Sequence, residues 1–323
     1  MANITAKTKP SEIEDLNNNA KYLMYKCVMR DKPAVDLTFD EMHEDQPSWN
    51  IESMISGAKR LAEIAGRQKV LYDVYEPEEC EDDPEKEDVK VWFMPAKKNA
   101  PDKPFILSVS GGAYTCVCSL VESFPSAAQF NELGYNVFVL TYRVSQDKLF
   151  PKPLEDIAAA VRFIQNNKRT FGLSRDEYIV NGFSAGGNAA VLWGTEKKGY
   201  GQYGLSRPEA LFAIYPCISS EYINTQTKDW FLSMMFGSEY DMEKVKEYDL
   251  PNIFTDQYPA SYIVQAKDDA EVPVENSVQL KKLLDKHHIK AELEVAEKGG
   301  HGFGDGAGTD AEGWTRRAIA FVE

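Results

Sequence analysis

The feature that most constrains the fold is an alternation of short, almost continuously apolar runs with amphipathic segments, which begins near residue 104. The first two apolar runs, 105–109 and 136–141, have the composition of strands that are buried on both faces of a sheet. A segment with helical spacing, 122–133, lies between them. The alternation predicts an α/β fold, with a mostly parallel, doubly wound sheet whose ligands bind at the carboxyl ends of the strands.

The pattern continues to the end of the chain. We predict helices over 154–163 and 274–286, and strands at 178–181, 211–215, 261–265 and 291–295. Upstream, apolar residues from Ile51 to Ala62 recur at helical spacing and predict a helix that ends near Gly66. The β-rich runs 70–75 and 89–94 predict a hairpin at a sheet edge. The acidic run 76–88 between them is expected to form a solvated loop.

Charge and composition narrow the possible partners. The 323-residue chain has a formal net charge of −15 at pH 7, because 51 acidic side chains outnumber 36 basic ones. This balance argues against nucleic acid or an anionic membrane as a partner, since both are negatively charged. The sequence shows no apolar core of a signal peptide and no run of 18 apolar residues, so we expect neither secretion by that route nor a transmembrane helix.

Cysteine usage bears on the compartment and on metal binding. Five cysteines, an odd number with no paired C-x-x-C arrangement, are typical of reduced thiols, and a cytoplasmic location is therefore expected. The C-x-C pair formed by Cys116 and Cys118 has too few ligands for a metal ion by itself. We interpret these two as small buried residues.

Residues 182–186, Gly-Phe-Ser-Ala-Gly, fit the pattern G-x-S-x-G. A β-branched run precedes them and an Ala-rich helix start follows, which is the strand-turn-helix context that exposes a nucleophilic serine on a sharp turn. A plain tight turn without chemistry is the alternative. The context favours Ser184 as a nucleophile.

A serine hydroxyl needs a base, usually a histidine held by a carboxylate. Among the four histidines, His301 lies in a glycine-rich loop after the last predicted strand, from which an imidazole can reach the carboxyl edge of the sheet. The acid is expected after the penultimate strand, where Asp268 and Asp269 stand. We favour Asp269; Asp268 could instead hold the turn, and Glu271 is a further candidate.

Acyl transfer also needs donors for the oxyanion that develops on the carbonyl oxygen. The backbone amide of Ala185, directly after the predicted nucleophile, can supply one. The glycine-containing turn 110–114 follows an earlier strand and can supply the others. Within it, Gly112 and Ala113 are the candidate donors.

With these motifs in place, the chain from residue 89 onward resembles the α/β-hydrolase superfamily, specifically the esterase/lipase branch related to hormone-sensitive lipase and bacterial acetyl esterases. Residues 134–143, Gly-Tyr through Tyr-Arg, and Asp156 resemble further landmarks of that branch. The resemblance implies that Arg143 and Asp156 are structural partners. One departure is Ser110, which stands where relatives commonly have the histidine of the oxyanion loop.

The resemblance also implies the domain organisation, a single α/β-hydrolase domain over 1–323 with an N-terminal and an inserted helical cap. The insertion 218–258 resembles the cap of that family, and the N-terminal segment 1–66 is expected to be helical and to join it. The alternative is that the helix in this insertion only packs its apolar face on the body of the protein and forms no substrate pocket. The candidate substrate-binding residues are Tyr114, Trp230, Phe231 and Met234.

Taken together, the triad and the resemblance imply a serine carboxylic-ester hydrolase that acts on small, soluble, short-chain acyl esters, with acetylated oligosaccharides as a substrate class. No cofactor and no metal are expected, the partner is a small-molecule ester, and the oligomeric state is left open. Feruloyl and other aromatic acyl esters are alternative substrates. A serine peptidase of the prolyl-oligopeptidase type and a non-catalytic ligand-binding homologue remain alternatives, although the former usually carries Ser-Tyr-Gly-Gly and the latter often lacks the histidine.

Overall fold

The computed structural model describes residues 3–98, 101–144 and 147–323. In these ranges the strands are β1 (Val28–Met29), β2 (Lys32–Pro33), β3 (Leu71–Asp73), β4 (Lys90–Met94), β5 (Phe105–Val109), β6 (Val137–Thr141), β7 (Tyr178–Phe183), β8 (Ala210–Ile214), β9 (Ala260–Ala266) and β10 (Ala291–Ala296). The α-helices are α1 (Phe39–Asp45), α2 (Ile51–Ala65), α3 (Ser123–Glu132), α4 (Lys152–Asn166), α5 (Lys168–Phe171), α6 (Ser184–Trp193), α7 (Lys228–Phe236), α8 (Met242–Lys246), α9 (Leu250–Ile253), α10 (Glu275–Lys286) and α11 (Trp314–Val322).

The central element is an eight-stranded sheet with the order β10-β9-β8-β7-β5-β6-β4-β3. The strands from β10 to β6 run parallel, whereas β4 and β3 pair antiparallel at one edge. Every residue of β5, β6, β7 and β8 is buried, because helices cover both faces of the sheet. The predicted parallel sheet and the predicted edge hairpin are both confirmed.

Helix α2 shows how local sequence sets an element's bounds. The side chain of Asn50 caps it by accepting a hydrogen bond from the amide of Ser53 at 3.0 Å, and the helix ends at Gly66 as predicted. Met54, Ala58 and other apolar residues at helical spacing are buried on one face. That face packs on α3, and α3 in turn contacts the sheet.

The acidic run 76–88 differs from its prediction as a solvated loop. It forms two short 3-10 turns whose carboxylates reach back to the body of the protein. Asp83 accepts a hydrogen bond from Arg143 at 2.7 Å, and Asp88 accepts one from the hydroxyl of Tyr22 at 2.7 Å. These partners are distant in sequence, so the composition of the run does not reveal them.

Arg143 and Asp156, which the resemblance implies are structural partners, do pair. The guanidinium Nε of Arg143 donates to Asp156 at 2.9 Å, and the Asp156 side chain is fully buried. The hydroxyl of Tyr75 donates to the same carboxylate at 2.7 Å. This network ties α4 to the end of β6 and to the segment that follows β3.

The N-terminal segment mixes short helices with a small hairpin, and its contacts include the loops at the carboxyl edge of the sheet. Tyr25 and Val117 exchange two backbone hydrogen bonds, at 3.1 and 2.9 Å. The hydroxyl of Ser53 donates to Asp305 at 2.7 Å. The predicted division into one domain with a cap made from 1–66 and 218–258 stays a prediction.

Across the described ranges, no helix combines the length and the apolar character that a bilayer crossing requires.

Candidate active site

Ser184 lies on a sharp turn between β7 and α6. Its φ is +51°, a left-handed conformation that is costly for a residue with a side chain. Two glycines allow this turn to fit. A Cβ on Gly182 would lie 2.4 Å from the carbonyl oxygen of Gly186, and a Cβ on Gly186 would lie 2.2 Å from that of Val109. The G-x-S-x-G spacing is therefore required by close backbone packing on both sides of the serine.

The structure brings the three predicted triad residues into one hydrogen-bonded chain. Ser184 Oγ lies 2.8 Å from His301 Nε2, and His301 Nδ1 lies 2.8 Å from Asp269 Oδ2. An ionised carboxylate can only accept, so Nδ1 carries the ring proton and Nε2 is free to accept the serine hydroxyl. This is the arrangement that a serine nucleophile and its base require.

Asp269 is held by several donors besides the imidazole. Its Oδ1 accepts from the amides of Glu271 and Val272, both at 2.9 Å, and its Oδ2 also accepts from Gln265 Nε2 at 2.9 Å. The carboxylate is fully buried. These bonds fix the orientation of the carboxylate towards His301.

The two alternatives for the acid occupy different places. Asp268 Oδ1 accepts from the amides of Gly299 and Gly300 at 2.9 and 2.8 Å, so it holds the turn that leads into the histidine loop. Glu271 is 68% exposed and its carboxylate lies 3.9 Å from His301 Nε2, the nitrogen that faces the serine. Of the three, Asp269 is the one whose carboxylate bonds Nδ1.

The electrostatic surroundings of His301 favour its protonated form. Burial lowers the pKa of the imidazole, but the hydrogen bond to Asp269 and the negative charges of Asp269, Glu271 and Glu122 outweigh burial, so its pKa is raised above the ordinary value. The side chain is only 12% exposed. A base with a raised pKa is a stronger proton acceptor, and the serine hydroxyl is its hydrogen-bond partner.

The turn that was predicted to supply oxyanion donors passes directly against Ser184. A Cβ on Gly111 would lie 2.7 Å from the Cβ of Ser184, and Gly112 and Ala113 have φ values of +127° and +50°. The amides of Gly112 and Ala113 have no hydrogen-bond acceptor within the ranges that the structure describes. The amide of Ala185 belongs to the first turn of α6, where helix geometry offers no acceptor.

Glu122 begins the predicted helical segment 122–133 and is not among the predicted site residues. Its carboxylate is buried beneath the oxyanion loop, where it accepts from the amide of Gly111 and from the hydroxyl of Tyr215, the latter at 3.0 Å. The Tyr215 oxygen in turn accepts from the amide of Gly304 at 3.2 Å, and its ring centroid lies 4.9 Å from that of His301. Burial raises the pKa of Glu122 to about 7.

No local sequence signal marks this link. Glu122 belongs to an ordinary helical pattern, and Tyr215 ends an ordinary strand pattern. Their connection depends on three separate chain segments meeting at one edge of the sheet. Together they join the oxyanion loop to the histidine loop.

A cavity of about 250 Å³ opens beside Ser184 and His301. Trp230 and Phe231 of α7 lie on its wall, as predicted for substrate-binding residues, and Trp230 is 54% exposed. Further lining residues are Ala113, Ala185, Cys217, Tyr222, Ile223, Asn224, Thr227, Ala270, Glu271, Val272, Pro273 and Asn276. The cavity therefore lies between the predicted nucleophile and the inserted segment.

Two of the predicted substrate-binding residues, Tyr114 and Met234, are not on this wall. Tyr114 is fully buried, its hydroxyl donates to Asn188 at 2.7 Å, and its ring packs 5.9 Å from that of Phe231. Met234 is 2% exposed in the core. That they contact substrate stays a prediction; side chains at neighbouring positions of a turn or helix point in different directions, and these two point into the core.

Comparison with known families settles the fold family. The BD-FAE family model matches residues 92–284, more than half of the chain. The chain belongs to the BD-FAE family. The predicted resemblance to α/β-hydrolase esterases is thereby confirmed.

Curated relatives of this BD-FAE chain include proteins named for xylan chemistry. It is 30% identical over 207 residues to endo-1,4-beta-xylanase B of Butyrivibrio fibrisolvens, across 61% of the chain and 32% of that protein. It is 26% identical over 221 residues to an acetylxylan esterase of Xylanibacter ruminicola, across 67% of the chain and 44% of that protein. The chain thus spans less than half the length of these two relatives.

A relative of known structure matches this BD-FAE chain over a larger share of both proteins. The acetyl ester-xyloside bifunctional hydrolase of Caldicellulosiruptor lactoaceticus is 28% identical, with a TM-score of 0.61, across 72% of the chain and 89% of that protein. An α/β-hydrolase fold is therefore confirmed.

Proposed function

We propose that the protein is a serine esterase that removes short acyl groups, acetyl foremost, from small soluble sugar esters. The observation that carries this proposal is the hydrogen-bonded chain from Ser184 through His301 to Asp269, with 2.8 Å at each link, at the mouth of a small cavity. Membership of the BD-FAE family supports it independently.

In the proposed reaction, Ser184 Oγ attacks the ester carbonyl carbon while His301 Nε2 takes the hydroxyl proton. The carbonyl oxygen becomes an oxyanion, to which the amides of Gly112, Ala113 and Ala185 donate. When the tetrahedral intermediate collapses, the carbon–oxygen bond to the alcohol breaks and the alcohol leaves with the proton from His301. In deacylation, His301 Nε2 takes a proton from a water molecule whose oxygen attacks the acyl carbon. The bond from that carbon to Ser184 Oγ then breaks, the carboxylic acid leaves, and Oγ regains the proton from His301, while Asp269 holds the imidazole throughout.

The cavity is small. At about 250 Å³ it lies below the ~300 Å³ at which pockets for drug-sized ligands begin, which favours small acyl groups over long acyl chains. One relative is named an acetylxylan esterase, and another is named an acetyl ester-xyloside bifunctional hydrolase. We infer acetylated xylo-oligosaccharides as the substrate class, in which the sugar stays in the open part of the site and the acetyl group enters the cavity.

Aromatic acyl esters of the feruloyl type are a second candidate. The wall of the cavity carries Tyr222, Trp230 and Phe231, whose rings can stack on an aromatic acyl group. Trp230 is more than half exposed, so it can contact a group that extends out of the cavity. The two candidates share the same nucleophile and differ in the acyl group that the cavity accepts.

A substrate panel tests the proposal. We would compare kcat/KM for p-nitrophenyl acetate, butyrate and octanoate, methyl ferulate and p-nitroacetanilide, and measure acetate release from acetylated xylo-oligosaccharides. The expected order is acetate above butyrate above octanoate, with acetate released from the sugar esters. Preference for methyl ferulate would select the second candidate. Amide turnover comparable to ester turnover would contradict an esterase and indicate a peptidase.

A further inference from the structure

Three thiols that the proposed reaction does not use lie together behind the oxyanion loop. The Sγ atoms of Cys27, Cys116 and Cys118 are all within 4.8 Å of one another, and those of Cys116 and Cys118 are 3.7 Å apart. Cys27 and Cys118 are each 7% exposed, and Cys116 is half-buried. All five cysteines of the chain are free thiols.

The cluster is formed where the N-terminal segment contacts residues 116–118, which directly follow the oxyanion loop 110–114. Tyr25 and Val117 form an antiparallel bridge. Cys116 and Cys118 flank Val117 and are two residues apart, the spacing at which side chains of an extended segment share a face. Cys27, two residues beyond Tyr25, adds the third sulfur. The C-x-C pair, which has too few ligands alone, is completed by a residue from a distant part of the chain.

We propose that Cys27, Cys116 and Cys118 form a three-thiolate binding site for a soft metal ion, Cu(I). Metal–thiolate bonds of about 2.3 Å hold three sulfurs about 4 Å apart in a trigonal plane, close to the separations found here. Thiolates select soft ions such as Cu(I) over hard ions that prefer oxygen ligands.

The number of ligands also favours Cu(I). Structural Zn²⁺ sites are almost always four-coordinate. Among the residues that the structure describes, no fourth His, Cys, Asp or Glu joins the three thiols.

The site adjoins the oxyanion loop without being part of it. The amide of Cys116 donates to the carbonyl oxygen of Gly112 at 3.2 Å, and the Cys116 thiol donates to the same oxygen at 3.6 Å. An ion bound to Cys116 would thus lie next to the loop whose amides face Ser184. Metal binding itself does not depend on the proposed esterase activity.

The test is a Cu(I) titration of the full-length, reduced protein under argon, in competition with the chromophoric chelator bicinchoninic acid. Three proteins are compared: wild type, Cys27→Ala and Cys80→Ala. Cys80 is a buried free thiol outside the cluster, which makes it a matched control. We expect one Cu(I) per chain in wild type and Cys80→Ala, and at least about 10-fold weaker binding in Cys27→Ala, since loss of even an outer partner of a metal ligand costs that much.

Two further measurements distinguish loss of a metal ligand from loss of folding. Cys116→Ser removes a less buried ligand and should weaken Cu(I) binding as Cys27→Ala does, with circular dichroism confirming that each variant is folded. Bound Cu(I) should also protect Cys116 and Cys118 from alkylation by iodoacetamide, as read by mass spectrometry. The proposal is overturned if wild type does not withdraw Cu(I) from the chelator, or if folded Cys27→Ala and Cys116→Ser bind it as tightly as Cys80→Ala.

Discussion

At the scale of single residues, the site combines a strained serine with a histidine and a carboxylate that are each fixed by several bonds. Ser184 is held at a φ of +51°, and Asp269 accepts four hydrogen bonds, one of them from the imidazole. Asp268, the adjacent carboxylate, contacts the backbone of the histidine loop instead. Neighbouring residues of the same type therefore have different proposed roles, which substitution can separate.

Asp269→Asn is expected to lower kcat for p-nitrophenyl acetate by about 10³- to 10⁴-fold, because an amide in this position favours the wrong imidazole tautomer. Asp268→Asn keeps a side-chain oxygen that can accept from the same two backbone amides, so we expect a loss of about 10-fold or less. Steady-state kinetics on both variants give the comparison. A larger loss in Asp268→Asn would move the acid to Asp268.

The pH profile of kcat/KM reports the base of the free enzyme. Protonation of His301 stops it from accepting the serine proton, so activity falls as the pH drops through its pKa. Since that pKa is raised, the acid limb should have its midpoint above the ordinary ~6.5. Glu122, whose own pKa is about 7, carries a negative charge in the upper part of this range. Glu122→Gln removes that charge, so the midpoint should move to lower pH, by less than the loss of a fully ionised carboxylate would cause. A profile that stays flat down to pH 5 in folded protein would exclude His301 as the base.

At the scale of elements, the turn between β7 and α6 is held by contacts that leave no room for a methyl group. Gly186 lies against the carbonyl of Val109, at the end of β5, where the oxyanion loop begins. Any displacement there moves the serine turn and the oxyanion loop together. The same packing that supports the fold therefore positions the reacting groups.

Gly186→Ala tests this coupling. The added methyl would lie 2.2 Å from a backbone oxygen, so we expect the free energy of unfolding to fall by about 3 kcal/mol and esterase activity to fall with it. Gly66→Ala is the control, because Gly66 has a φ of −66° and the nearest atom to its new Cβ would be an Asp15 side-chain oxygen at 3.3 Å, with the carbonyl oxygen of Ala62 at an ordinary 3.6 Å. We expect a change within about 0.5 kcal/mol there. Urea denaturation of both variants gives the values; equal stabilities would refute the packing argument.

Most of the strands and the serine turn could be predicted from sequence, for a physical reason. Strands buried on both faces need continuous apolar runs, and the serine turn needs small residues at fixed positions, so both leave local patterns. Glu122, Cys27 and the partners of the acidic run leave none, because each acts through residues far away in the chain. Tyr114 and Met234, predicted to bind substrate, lie in the core rather than on the cavity wall, because local spacing does not give the direction of a side chain.

At the scale of the whole molecule, the N-terminal segment connects the loops that carry the proposed catalytic groups. The Tyr25–Val117 bridge supports the oxyanion loop, and Ser53 bonds Asp305 in the loop that follows His301. Asp305 is 5% exposed and also accepts from Gln129 at 2.7 Å. Residues far apart in sequence thus hold the two sides of the site together.

Ser53→Ala removes one donor to this buried carboxylate, and we expect it to lower the free energy of unfolding by about 1–3 kcal/mol. Ser56→Ala is a matched control on the same helix, because Ser56 is exposed. We expect it to change stability by less than about 0.5 kcal/mol. Chemical denaturation of the two variants measures both changes in the free energy of unfolding. Equal changes would mean that the Ser53–Asp305 hydrogen bond does not contribute to stability.

The most direct measurement is the hydrolysis of p-nitrophenyl acetate by wild type and Ser184→Ala side by side, with a fluorophosphonate probe applied to both. We predict that wild type turns over the ester and is labelled on Ser184, whereas the variant is unlabelled and loses activity by a factor on the order of 10³ or more. Equal rates from the two proteins would contradict Ser184 as the nucleophile, and with it the proposed esterase mechanism.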